Sequence, residues 1–152
     1  MAFIRIKKIN GTPYAYLVES VKTKKGPRQK FKGYLGRVHE LERVDASEVE
    51  HENVLLKLAL QVLSDYGFRE EGKRWKRQSL VFNPNSLGLQ LKKKKAILGV
   101  NEGHLCEFTL KRIKNFKKSA DPVQDGRKLA KYFLEAGLPV NEKDFVEYYQ
   151  SL

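Results

Sequence analysis

The first 37 residues alternate runs of β-branched and aromatic residues with turn signals, and this pattern constrains the fold more than any other feature of the sequence. Asn10-Gly11-Thr12-Pro13 and Lys24-Lys25-Gly26-Pro27 are turn sequences, since Gly and Asn tolerate the positive φ that tight turns require. They separate three runs, which we expect to form strands over about residues 2–9, 14–21 and 29–35. The sequence therefore predicts a three-stranded antiparallel meander.

Alternate side chains of a strand point to opposite faces, so the predicted meander has an apolar face and a cationic face. The apolar face is expected to collect Ile4, Ile6, Ala15, Leu17, Val21, Phe31 and Leu35. The other face is expected to collect Phe3, Arg5, Lys7, Tyr14, Tyr16, Lys30, Lys32 and Tyr34. Cations neutralise phosphates and tyrosines stack on bases, so the second face is typical of a nucleic-acid-binding surface. A purely structural role is the alternative, because tyrosine favours strands and lysine protects sheet edges.

Charge is distributed in alternating blocks along the chain. The net charge of +12 divides into +9 for residues 1–37, −6 for residues 38–72, +11 for residues 73–118 and −2 for residues 119–152. Clustered positive charge is the electrostatic signature of a protein that binds a polyanion. A role in solubility alone is the alternative interpretation.

The N-terminal segment also resembles a known family. The stretches "FIRIKKINGTPYAYLVESV" and "GPRQKFKGYLGR" are similar to the short N-terminal β-segment of a broad group of insertion-sequence transposases, and they cover about a quarter of the chain. Those transposases carry an acidic metal-binding triad spread over several hundred residues, and nothing of that size is present in the 152 residues here. The resemblance implies a shared nucleic-acid-binding or interaction module without the catalysis, and it favours DNA.

An acidic segment, residues 38–52, precedes an apolar helix. Ser47 and Glu50 have the spacing of an N-cap and an N3 residue, which predicts a capping box there. The run from Val54 to Leu63 is apolar on most sides, so we expect a largely buried helix that ends at Gly67.

The second basic block, residues 73–118, predicts strands at about 74–82 and 91–100, followed by a helix with Asn101 as its N-cap. Lys111, Lys114 and Lys118 would form a basic stripe on that helix. Trp75 has two interpretations, namely partial burial against the core or stacking on a base. The predicted binding residues of this block are Lys73, Arg74, Trp75, Lys76, Arg77, Lys93, Lys95, Lys111, Lys114 and Lys118.

The last segment predicts a helical hairpin. Asp121 before Pro122 and Asn141 before Glu142 are helix N-caps, and Gly137 suits the position after a helix end. The fold class is therefore predicted to be α+β, with an N-terminal three-stranded antiparallel meander, a helix, a further β-hairpin and a C-terminal group of three helices. We expect a basic β module at 1–37, an acidic linker and helix cap at 38–52, and an α+β body at 53–152.

The composition also indicates the cellular compartment and argues against a secreted protein and against a membrane protein. Cys106 is the single cysteine, so an internal disulfide is excluded and a reducing cytoplasm is expected. No apolar signal core follows Arg5, Lys7 and Lys8, so we do not expect secretion. No apolar run approaches the roughly 20 residues of a membrane-spanning helix, so a membrane partner is not expected.

The sequence lacks the common catalytic motifs, such as GxxxxGK[ST] and GxSxG. We therefore expect a non-enzymatic nucleic-acid-binding protein without cofactor or metal, with DNA slightly favoured over RNA. A protein-interaction adaptor that regulates a replication or translation machine through its acidic helices is one alternative, and an RNA- or ribosome-associated protein is another. A small metal-dependent nuclease using Glu102 and Glu107 is the enzymatic alternative.

Overall fold

The computed structural model describes residues 2–152, so only Met1 of the predicted N-terminal module lies outside it. Its elements are β1 (Ala2–Ile9), β2 (Thr12–Thr23), β3 (Gly26–Glu40), α1 (Val54–Asp65), β4 (Arg69–Glu71), β5 (Arg74–Arg77), β6 (Leu80–Asn83), β7 (Gly88–Leu91), β8 (Lys94–Val100), β9 (Gly103–Leu105), α2 (Glu107–Lys114), α3 (Pro122–Glu135) and α4 (Glu142–Ser151). The α+β class and the N-terminal antiparallel meander are confirmed. The predicted second hairpin is larger than expected, since six short strands occupy this part of the chain.

All nine strands belong to one sheet with the order β1-β2-β3-β8-β7-β6-β5-β4, and β9 also pairs with β8. Neighbouring strands are antiparallel except β3 and β8, which run parallel. Arg37–Glu40 of β3 pairs with Ala96–Gly99 of β8, so the N-terminal meander and the rest of the molecule share a continuous sheet. Strand β3 therefore runs on past the predicted module boundary at residue 37.

Two β-bulges interrupt the ladder between β2 and β3 and change which side chains share a face. Leu17 pairs with Gly33 but Val18 pairs with Phe31, and Ala15 pairs with Gly36 but Tyr16 pairs with Tyr34. Each bulge inserts one residue into β3, so strict alternation fails there twice.

The bulges correct three predictions. Phe31 lies on the tyrosine side of the sheet, 62% exposed, and not on the predicted core face. Lys30 pairs in register with Glu19, and the Lys32 ammonium lies 3.0 Å from the Glu19 carboxylate, so both lysines lie on the face opposite the tyrosines. The acidic Glu19 on the apolar face is thereby explained, because Lys32 neutralises it.

Two hydrophobic clusters hold the molecule together. The larger one packs α1, predicted to be buried on most sides, against β6–β9 and the C-terminal helices, and its fully buried side chains include Leu63, Phe68 and Phe133. The smaller one joins Ala15 of β2 and Val38 of β3 to residues of β8 and α2 on the apolar face of the meander. Full burial of each large apolar side chain contributes about 1.5–3 kcal/mol, so the clusters fix the sheet against its helices.

Two predicted helix starts are wrong. The N-cap of α1 is Asn53, whose side chain accepts from the Leu56 N–H, and the predicted cap Ser47 lies outside the helix. Asn101 begins a two-residue turn, because Val100 pairs with Gly103 across β8 and β9. Helix α2 begins six residues later, at Glu107, with Thr109 accepting from the backbone N–H of the N-cap residue.

The C-terminal helical hairpin is confirmed. Asp121 accepts from the Gln124 N–H at the start of α3, and Asn141 accepts from the Lys143 N–H at the start of α4. Gly137 adopts a φ of 74° directly after the end of α3, as its predicted position requires. Within residues 2–152, no helix combines the length and apolarity needed to cross a membrane.

Candidate nucleic-acid interface

A face of the meander carries tyrosines flanked by cations. Strand register places Arg5 opposite Tyr16 and Lys7 opposite Tyr14, so β1 supplies a positive charge beside each ring. On the other side of β2, Tyr34 pairs with Tyr16. Directly opposed residues of antiparallel strands share a face, so these side chains form one surface, which we name the tyrosine face.

A groove continues the tyrosine face onto the body of the protein. Its volume is about 590 Å³, and it exists because β3 pairs in parallel with β8, which belongs to the second basic block. The groove is lined by Tyr14, Tyr34, Arg37, His39, Leu91, Lys92, Lys94 and Lys95. The structure therefore brings part of each basic block together across the β3–β8 pairing.

Sequence reasoning missed five of these residues: Arg37, His39, Leu91, Lys92 and Lys94. It selected Lys93 and Lys95 because alternate residues of a continuous strand share a face. Lys92 and Lys93 instead form the two-residue turn between β7 and β8, with φ of 49° and 67°. These angles belong to a type I′ turn, which favours Asn-Gly, so a Lys-Lys pair gives no turn signal in the sequence.

The tyrosine face is electropositive because the acids of the first forty residues are turned away from it. These acids are Glu19, which pairs with Lys32 on the opposite face, and Glu40, which follows His39 and so points to the other side of β3. Burial, and then the neighbouring Tyr14 and Tyr16, raise the pKa of Tyr34, so its hydroxyl remains a hydrogen-bond donor.

His39 lies at the inner end of the groove as a neutral imidazole. Burial, with a smaller effect of the Arg37 charge, lowers the pKa of His39 below its ordinary value. Its buried Nε2 atom has no hydrogen-bond partner within the part of the chain that the structure describes. The fold thus leaves one nitrogen of this imidazole buried and unpaired beside the groove.

The predicted basic stripe on the second helix is broken. The Lys111 ammonium lies 2.6 Å from the Glu107 carboxylate, and the side chain lines a separate cavity of about 490 Å³ that Lys95 also borders. Helix α2 ends at Lys114, which is exposed, so Lys118 lies beyond it with its ammonium 4.7 Å from the centre of the Tyr149 ring. These lysines do not form one face with the tyrosines.

The predicted cluster Lys73–Arg77 also lies apart from the tyrosine face. Strand β5 is three strand spacings, about 14 Å, from β8. Trp75 is half-buried against the larger core cluster, and it borders a pocket with Glu48, Glu50 and Glu70. Acids beside the indole disfavour a polyanion there, so the structure favours the burial interpretation of Trp75. The other four residues of the cluster are Lys73, Arg74, Lys76 and Arg77, of which Lys76 lies 3.6 Å from Glu71.

The buried groups with chemical potential have structural partners. Burial raises the pKa of the Cys106 thiol, which stays protonated and lies 3.6 Å from the Thr109 hydroxyl at the start of α2. The buried carboxylate of Asp125 accepts from the backbone and side chain of Ser119 and from the Tyr149 hydroxyl. Among residues 2–152, no three His, Cys, Asp or Glu side chains are grouped so as to hold a metal ion.

No protein-family model, curated protein or solved structure matches this chain. The resemblance of residues 1–37 to transposase N-termini therefore stays a prediction.

Proposed function

We propose that this chain is a non-enzymatic nucleic-acid-binding protein that uses the tyrosine face and the adjoining groove, with DNA favoured over RNA by the N-terminal resemblance. It acts without a cofactor. Phosphates of the bound strand contact Arg5, Lys7, Arg37, Lys92 and Lys94, while the tyrosines contact bases or sugars. Such contacts release counterions and supply most of the affinity.

One observation carries this proposal: the parallel pairing of β3 with β8 lines a single groove with residues from both basic blocks. Gathering like charges in one groove opposes folding through mutual repulsion, and a bound polyanion removes that repulsion. Aromatic rings lie among the cations, as in surfaces that follow a nucleic-acid backbone.

The test compares two variants that lose the same charge at different places. The groove variant replaces Lys7, Arg37, Lys92 and Lys94 by Gln, all of which are exposed. The matched control replaces Lys117, Arg127, Lys131 and Lys143 by Gln, which are also exposed and lie outside the meander and the groove. Fluorescence anisotropy of a labelled oligonucleotide then measures affinity as salt rises from about 50 to about 200 mM.

The wild-type protein is expected to lose about a thousandfold in affinity over this range if it contacts about six phosphates. The groove variant should bind more weakly. The slope of its log affinity against log salt concentration should decrease by up to the contribution of four phosphate contacts, whereas the control keeps the wild-type slope. Equal weakening of both variants would show that net charge alone attracts the oligonucleotide. No binding by the wild-type protein would refute the proposal.

The acidic segment between β3 and α1 favours a second candidate, a protein-interaction adaptor. It lies along α1, where the Val49 N–H donates to the Gln61 side chain and the Val44 N–H donates to the Asp65 carbonyl. Glu48 and Glu50 thereby border the pocket beside Trp75. An adaptor would retain a protein partner across the same salt range with little loss, and the groove variant would bind that partner as the wild-type protein does.

A further inference from the structure

Four aromatic rings form a row along the β2–β3 hairpin. In spatial order they are Tyr14, Tyr34, Tyr16 and Phe31, with successive ring centroids 6.3, 5.4 and 6.0 Å apart and ring planes inclined by 43–57°. We name this set the aromatic row. It begins at the groove and runs along the strands toward the hairpin turn.

Two of the four rings in the aromatic row contribute little to the stability of the protein. Phe31 is 62% exposed and Tyr34 is 50% exposed, so each side chain keeps at least half of its surface in contact with water. Regular alternation in β3 would have turned Phe31 to the apolar face, and the bulge at Lys32 turns it outward instead. Bulges that redirect a side chain are frequent beside functional sites.

Cations lie on both sides of the aromatic row. Arg5 and Lys7 of β1 lie opposite Tyr16 and Tyr14, and Arg5 also donates to the Gln29 side chain at the Phe31 end. Arg37 and the Lys92–Lys94 turn lie at the Tyr14 end, where the groove begins. A strand laid along the rings thus has a positive charge near its phosphates at each end.

Flat rings on a sheet suit unpaired bases and do not suit a duplex. In duplex DNA the base faces are stacked on one another, and a protein reaches only base edges and phosphates. Strand β1 pairs with β2 along Thr12–Glu19, so the segment that carries all four rings is three strands wide. With its side chains, that width exceeds the roughly 12 Å major groove, which accepts at most a two-stranded ribbon.

We propose that the aromatic row binds single-stranded nucleic acid by stacking unpaired bases, and that the protein prefers a single strand to a duplex. This inference rests on the proposed function and adds the class of nucleic acid to it. The rings supply stacking, which tolerates any base sequence, while the flanking cations hold the backbone.

The experiment measures the affinity of the full chain for a short mixed-sequence DNA strand, and for the same strand annealed to its complement, at one salt concentration. Phe31→Leu and Tyr34→Leu each remove a ring but keep an apolar side chain, and Tyr34→Phe keeps the ring. Leu134→Ala, at another exposed apolar residue far along the chain in α3, is the control. Circular dichroism verifies that each variant is folded.

We expect the wild-type protein to bind the single strand more tightly than the duplex. Each Leu variant should lose about 5- to 150-fold for the single strand and little for the duplex. Tyr34→Phe should lose much less than Tyr34→Leu because it keeps the ring, and the control should bind as the wild-type protein does. Equal affinity for both forms, or unchanged binding by the Leu variants, would overturn this inference and leave the proposed function standing. Failure to bind either form would refute both.

Discussion

At the scale of single residues, Gly36 decides how closely the meander approaches the body. Its φ of 135° is unfavourable for any residue with a side chain. A Cβ atom at this position would lie 2.5 Å from the Lys95 carbonyl oxygen, which belongs to the backbone and has no room to move. Gly36 directly precedes the paired residues of β3 and β8, so the groove depends on this contact.

Gly36→Ala is therefore expected to lower the free energy of unfolding by roughly 1–3 kcal/mol, because it adds both backbone strain and a steric clash. Gly33→Ala, three residues away in the same strand, is the matched control, since a Cβ there meets no atom within 4 Å. Urea unfolding followed by circular dichroism measures both changes. Similar stability of the two variants would show that the close approach at Gly36 is not required.

At the scale of secondary-structure elements, the tight turns carry unequal sequence signals. Asn10-Gly11 forms the turn between β1 and β2 with φ of 52° and 79°, as its sequence predicts. The turns at Lys92–Lys93 and Asn101–Glu102 have the same pattern of positive φ but contain residues that adopt it at a cost. Strain of this kind at the edge of a candidate site is consistent with a functional role for the lysines.

Replacing Lys92-Lys93 by Asn-Gly is expected to stabilise the protein by roughly 1–2 kcal/mol, because the left-handed conformation becomes unstrained. The same change should weaken oligonucleotide binding, since it removes two cations beside the groove. Glu102→Gly relieves strain in the other turn and should raise stability without weakening binding. Thermal unfolding and anisotropy measure the two effects, and unchanged oligonucleotide affinity of the Asn-Gly variant would exclude these lysines from the interface.

At the scale of the whole molecule, the fold sorts the second basic block into separate places. Lys92 and Lys94 line the groove, Lys95 borders both the groove and the cavity that Lys111 lines, and Trp75 lies beside acidic residues. The two basic blocks therefore share a groove but do not form one continuous surface. Binding at the tyrosine face should leave the surroundings of the indole unchanged.

The emission of Trp75, the single tryptophan, provides the test of this separation. A saturating oligonucleotide is expected to leave selectively excited tryptophan emission unchanged. Trp75→Ala should retain affinity while lowering the free energy of unfolding by about 1–3 kcal/mol, because the indole is packed against the core. Quenching of the Trp75 emission at a stoichiometric ratio of oligonucleotide to protein would instead show that the interface extends to β5.

Local chemistry made much of the fold predictable. The N-terminal turns, the apolar run of α1 and the caps Asp121 and Asn141 act through neighbours within four residues, so the sequence alone indicates the meander and these three helices. The fourth helix, α2, was also predicted, but with a start at the turn residue Asn101. The charge blocks likewise indicated a polyanion partner from composition, and the structure leaves that prediction to experiment.

The tertiary structure decided what the sequence leaves open. Pairing of β3 with β8 joins residues about sixty positions apart, and no local signal specifies such a partner. The bulges that turn Phe31 outward and Lys32 inward depend on the register with β2, and a register change of one residue reverses a face. Local signals thus indicated the tyrosines and the β1 cations of the candidate site, but its remaining residues and its assembly into one groove required the long-range pairing of the sheet.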